Sequence, residues 1–137
     1  MERTKNPNST IDEKVNRTKR LFREIGYQGI NLDTEEFYEN ISAAIDRGGK
    51  DDTGFSRQLT AILGSKNRLD KVASIKAPTL IIHGEGDPLI KVKNAYVSNK
   101  LIKNSKLIVL PEMRHLIEPP VFEKFKKNLL IHLTSVK

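Results

Sequence analysis

Two residues of this sequence, Asp87 and His115, have the types and spacing for proton chemistry. Asp87 lies five residues past the end of the apolar run Thr79-Leu80-Ile81-Ile82, and His115 lies five past the end of Lys106-Leu107-Ile108-Val109-Leu110. Read as parallel strands, the two runs put both side chains on loops at one sheet edge, beyond the carboxyl ends where ligands gather. A carboxylate at that edge can fix the tautomer and orientation of an imidazole, which then serves as a general base. His83 could join Asp87, Glu112 and His115 around a cation, but their spacing matches no metal signature, so no metal and no cofactor is assigned. Glu85, Glu112 and Glu118 read as solvent-facing loop carboxylates, with Glu85 a reserve acid. His132 sits where it complements a helix dipole.

The surrounding pattern supplies the elements that must hold this pair. Ile11, Val15, Thr18, Phe22 and Ile25 recur at helical spacing and predict an amphipathic helix that stops at Gly26. Asp33-Thr34-Glu35-Glu36 resembles a capping box, with Asp33 as the cap, and opens a second helix. That helix buries Phe37, Ile41, Ala44 and Ile45 and ends at Gly48-Gly49. Residues 53–63 predict a third helix, apolar at Phe55, Leu59, Ile62 and Leu63 and closed by Gly64. From residue 67 the pattern becomes strand, helix, strand, helix. Pro78 opens the first strand, and residues 91–102 form the crossover helix with Val92, Ala95, Tyr96 and Leu101 inward. Residues 121–133 form the last helix with Phe122, Phe125, Leu129 and Leu133 on one face. This is a parallel β-α-β-α unit at the end of an α/β sheet. The helical segment 1–66 has no strand to cover and reads as a cap or lid, and 67–137 as the sheet portion.

The string Ala77-Pro78-Thr79-Leu80-Ile81-Ile82-His83-Gly84-Glu85-Gly86-Asp87-Pro88-Leu89 resembles the segment around the acid in α/β-hydrolases of the esterase, lipase and acyltransferase-like group. The spacing onward to Leu107–Leu110, Met113 and His115 fits as well, and acid before histidine is that family's chain order. The preceding helices look like its cap region. The resemblance covers nearly the whole chain but only the C-terminal part of the family's fold. It implies that Asp87 is the acid and His115 the base of a Ser-His-Asp triad that hydrolyses a small ester or acyl substrate.

Two departures qualify the match. Similar proteins carry glycine immediately before the histidine, where this sequence has Glu112-Met113-Arg114-His115. If a left-handed backbone is required there, Arg114 is strained by roughly 1–2 kcal/mol, and its guanidinium is placed to compete for Asp87. The second departure is the nucleophile. The nearest approach to a G-x-S-x-G elbow, Gly54-Phe55-Ser56-Arg57-Gln58, lacks the second glycine and follows a polar stretch that is no strand. No nucleophile is therefore assigned, and the chain alone is expected to be inactive. The alternative is a non-catalytic binding or assembly module of the same ancestry.

Composition narrows the rest. The sequence has no cysteine, so thiolate chemistry and disulfides are excluded. The polar stretch from Met1 to Ile11 holds no secretory pattern, and no apolar run approaches a membrane span. These features predict a cytoplasmic protein with no membrane partner. The net charge of +7 resides in residues 71–137, where 12 basic side chains face 5 acidic ones. The lysines are scattered along amphipathic elements without a nucleic-acid motif, so they read as solvated faces and no nucleic-acid partner is assigned. A two-stranded sheet has edges that invite pairing with another copy. Light scattering at tens of micromolar is expected to show a homo-oligomer, and a monodisperse monomer would contradict it.

Overall fold

A computed structural model of the chain describes residues 9–48, 54–65 and 67–135. Gly49, Thr53 and the Phe55 side chain, all used in the sequence argument, lie outside the described residues. Three helices come first, α1 (Ile11–Ile25), α2 (Glu35–Arg47) and α3 (Gly54–Leu63). They are followed by a short α4 (Leu69–Ala73), then β1 (Thr79–Gly84), α5 (Lys93–Leu101), β2 (Ser105–Leu110) and α6 (Pro119–Ser135). Contacts group the chain into two units, one of residues 1–22 and 31–65, the other of residues 23–30 and 66–137. No described helix is long and apolar enough to cross a membrane.

In the first unit, α1 carries the expected stripe: Val15 is buried and Ile11, Thr18 and Phe22 are half-buried. Its start is a capping box that the sequence analysis does not identify. The Thr10 N–H donates to Glu13 Oε2 at 2.9 Å, and the Glu13 N–H donates back to Thr10 Oγ1 at 3.3 Å. At α2 the cap is Thr34, not Asp33: its Oγ1 accepts from the Phe37 N–H at 3.1 Å. The position three residues into that turn is then Phe37, so no glutamate can reciprocate. The Asp33 carboxylate instead accepts from Lys19 Nζ at 3.0 Å. Phe37 stacks edge-on against Phe22 with ring centroids 5.5 Å apart. The rest of the α2 face is shallower than its periodicity suggests, since Ile41 and Ile45 are half-buried and Ala44 is exposed.

The second unit holds the sheet. β1 and β2 pair in parallel, from Thr79 opposite Ser105 to Gly84 opposite Leu110. The pleat puts Ile82, Ile108 and Leu110 on one face, where they pack against a core of Met113, Val121 and Phe125. Phe122 and Leu129 of α6 complete that cluster. His132 continues the half-buried stripe and Leu133 faces solvent, because the 4-then-3 spacing from Phe125 through Leu129 leads to His132. On α5 the inward stripe runs Val92, Ala95, Asn99 and Ile102. Tyr96, expected inward, lies about 100° round the helix from Ala95 and is 54% exposed.

At the carboxyl ends of the strands the two loops nearly touch, and Gly84 is what lets them. A Cβ placed on Gly84 would lie 2.2 Å from the Arg114 carbonyl oxygen and 2.4 Å from that of Met113. Gly86, two residues on, would meet nothing closer than 3.6 Å. Gly84→Ala is therefore expected to cost at least about 2 kcal/mol in denaturant unfolding, as backbone must move to admit one methyl. Gly86→Ala should fall within about 0.5 kcal/mol of the parent. Equal effects at the two positions would contradict this packing.

Candidate functional site

The loop after β1 is built to hold one carboxylate. Pro88 has no N–H, and the chain bends so that Asp87 Oδ1 accepts from the next two donors, Leu89 N–H at 2.8 Å and Ile90 N–H at 2.9 Å. Asp-Pro is a strong local signal for such a turn, because the short carboxylate replaces a backbone acceptor and proline presets φ. The Gly86 N–H donates to the Met113 carbonyl at 3.3 Å and the Glu85 N–H to that of Leu110 at 3.0 Å. These bonds tie the aspartate loop to the histidine loop.

The structure brings the sequence-selected pair together. His115 Nδ1 lies 2.9 Å from Asp87 Oδ2. An ionised carboxylate only accepts, so Nδ1 carries the proton and Nε2 is left as the acceptor nitrogen. The Asp87 side chain is 6% exposed and that of His115 is 32% exposed, so the carboxylate is sealed while the ring still reaches outward. Burial by itself would raise the Asp87 carboxyl. The Ile90 N–H, the His115 ring and the Leu89 N–H outweigh it and hold the group below its ordinary 3.8.

The histidine loop is gripped from the other side by the end of α1. The Ile25 carbonyl accepts from the His115 N–H at 2.8 Å and the Leu116 N–H at 3.3 Å. Arg114 Nη1 donates to the Glu24 carbonyl. The expectation that Arg114 competes for Asp87 is thus replaced: its guanidinium caps a helix end, and its stem passes over Gly86. Glu118 is also corrected. It is buried rather than solvent-facing, and its Oε1 accepts from the Tyr27 N–H at 2.9 Å.

The remaining candidates stand apart from this pair. His83 Nδ1 is bonded to the Gly84 carbonyl at 2.8 Å, and no three metal-binding side chains converge among the described residues. Glu85 is exposed. Glu112 is an exposed partner of Lys124 at 2.9 Å, a pair that lowers the glutamate pKa and contributes little to stability. Ser56 lies inside α3 as an ordinary helical residue. A groove of about 230 Å³ between Leu80, Ile108, Ile131 and His132 opens near the amino ends of the strands, away from the pair.

The depressed carboxyl of Asp87 sets a pH prediction. Its folded pKa is depressed, so its contribution is complete above the unfolded-chain value and is lost as pH falls through the folded one. The stability gap between the parent and Asp87→Asn, measured by denaturant unfolding, should shrink as pH drops below about 3.8. A gap that widens with acid would contradict the hydrogen-bond set.

No family model matches the chain. The human serine hydrolase BPHL is 36% identical over 53 residues, which is 39% of this chain and 18% of that protein. The crystal structure of a serine hydrolase involved in carbazole degradation, the CarC enzyme, matches 91% of this chain with a TM-score of 0.61 and 21% identity. That match takes in 47% of the CarC chain. The chain thus spans under half the length of either protein. Its parallel β-α-β-α unit, its preceding helices and this overlap show that the chain has the fold of the matched part of that α/β-hydrolase.

Proposed function

We propose that Asp87 and His115 are the acid and base of a Ser-His-Asp triad acting on a carboxylic ester or related acyl group. The observation that carries this reading is the 2.9 Å contact from Asp87 Oδ2 to His115 Nδ1, which leaves Nε2 as a proton acceptor. Nε2 takes the serine hydroxyl proton as Oγ bonds to the acyl carbon, and then delivers it to the departing alkoxide. Water repeats the sequence on the acyl-serine, releasing the carboxylic acid. Asp87 stays ionised throughout, fixing the ring and offsetting the charge of the imidazolium.

Among the described residues no serine is hydrogen-bonded to His115, and none stands on a strand-to-helix elbow. The reading therefore takes the nucleophile and oxyanion donors from the share of the fold that this chain does not span. That both matched proteins are serine hydrolases supports it.

The chain alone is expected to show no labelling by a fluorophosphonate probe. Mixing it with a polypeptide carrying the G-x-S-x-G portion of the fold should restore p-nitrophenyl ester turnover. His115→Ala should then reduce turnover by about 10⁶-fold. Labelling at Ser56, or restored turnover indifferent to His115→Ala, would defeat the proposal. Assembly without turnover would favour the non-catalytic module.

A further inference from the structure

The triad reading assigns no role to Glu118, yet it is one of two polar residues of the described chain that are buried, the other being Asp87. A buried carboxylate is costly unless it is bonded. Only one of its oxygens is. Oε1 accepts from the Tyr27 N–H, while Oε2 is shielded and has no hydrogen-bond partner among the described residues.

Its place in the chain explains why that side chain turns toward Tyr27. Glu118 immediately precedes α6, and its carbonyl accepts from the Val121 N–H at 3.0 Å and the Phe122 N–H at 2.9 Å. A residue in that position usually spends its side chain on the first free N–H groups of the helix. Here the first two helical residues, Pro119 and Pro120, have none, and the N–H of the third, Val121, is already bonded. The carboxylate is free to reach across to residue 27. The amino end of α6 favours its negative charge.

That reach closes a clamp around His115. The last carbonyls of a helix lack partners within it, and those of Glu24 and Ile25 are taken by Arg114, His115 and Leu116. Glu118 fastens the same turn two residues further on. The loop 114–118 is thus bound to the turn 24–27 at both of its ends, with the His115 main chain between. The Asp87 bond fixes only one ring atom, so the direction of Nε2 also depends on where this backbone is held.

We propose that Glu118 is a positioning residue for His115, acting through the Tyr27 N–H and the end of α1. The proposal rests on the reading of His115 as the base, but its test needs no turnover. In the full chain, uniformly ¹⁵N-labelled, two things are read: the Nδ1–H signal of His115, and the amide exchange of His115 and Leu116. Glu118→Ala is expected to speed both amides about tenfold, the order of one lost hydrogen bond, and to broaden away the Nδ1–H signal. Glu118→Gln keeps an oxygen for Tyr27 and should retain both.

A folded Glu118→Ala chain with exchange and ring signal unchanged overturns the proposal. If that variant does not fold, Glu118→Leu keeps the bulk of the side chain and removes the acceptor of the Tyr27 N–H. It should speed the same amides, and unchanged exchange and ring signal there are equally fatal. Asp87→Asn separates the two readings. It should abolish the ring signal while leaving the amides protected, and a ring signal that survives counts against the Asp87–His115 pair rather than against the clamp.

Discussion

Where the Met113–Arg114 backbone crosses Gly84 there is no room for a single methyl group, and the rest of the site follows from that approach. The two strands end in register, Gly84 opposite Leu110. The loops that leave them can therefore meet only if one gives up its side chain at the crossing. Once they meet, the Gly86 N–H reaches the Met113 carbonyl. Asp87 and His115 then come within hydrogen-bond distance across 28 residues of sequence. A larger residue at 84 would push the loops apart by more than a hydrogen bond tolerates.

Burial of Asp87 and exposure of His115 belong to the same arrangement. A carboxylate removed from water is stable only when several donors face it, and here three do so from fixed positions. Two are backbone N–H groups of its own turn and cannot leave without unfolding it. The third is the imidazole, which keeps its other nitrogen toward the outside. A sealed acceptor behind a half-open ring suits a base that must exchange protons with something not yet bound. Arg114 fits this division because its charge is spent on a helix carbonyl, leaving the carboxylate to the imidazole.

Much of this was legible in the sequence, and the reasons for the failures are specific. The strands were readable from short apolar runs, and the pair from residue type and distance past each run. The Asp87 turn was readable because its donors are local. Glu118 was not, because its partner Tyr27 is 91 residues away and a lone loop glutamate carries no sign of burial. The two prolines after it were the available signal, since they remove the donors a capping side chain would serve. Asp33 reads as a cap because the motif D-T-E-E permits either of two registers one residue apart. Only the helical phase of α2 decides for Thr34. Tyr96 failed for a related reason: α5 is too short for its periodicity to choose between neighbouring stripes without knowing that Ile102 is buried.

The sheet itself is the least complete part of the structure, which bears on how the site can be ordered at all. Strands with continuous apolar runs are normally covered on both faces, yet Thr79 to His83 are all only half-buried. Two parallel strands supply little stability of their own. The site does not depend on sheet neighbours for its geometry. It is fixed by contacts made beyond the strand ends: the bare Gly84 backbone, the Asp87 turn, and the α1 carbonyls on the histidine loop. All of these join residues within the unit formed by 23–30 and 66–137. The acid–imidazole pair can therefore be preorganised by this chain's own residues, and under the proposed function what the rest of such a fold would add is the group whose proton His115 takes.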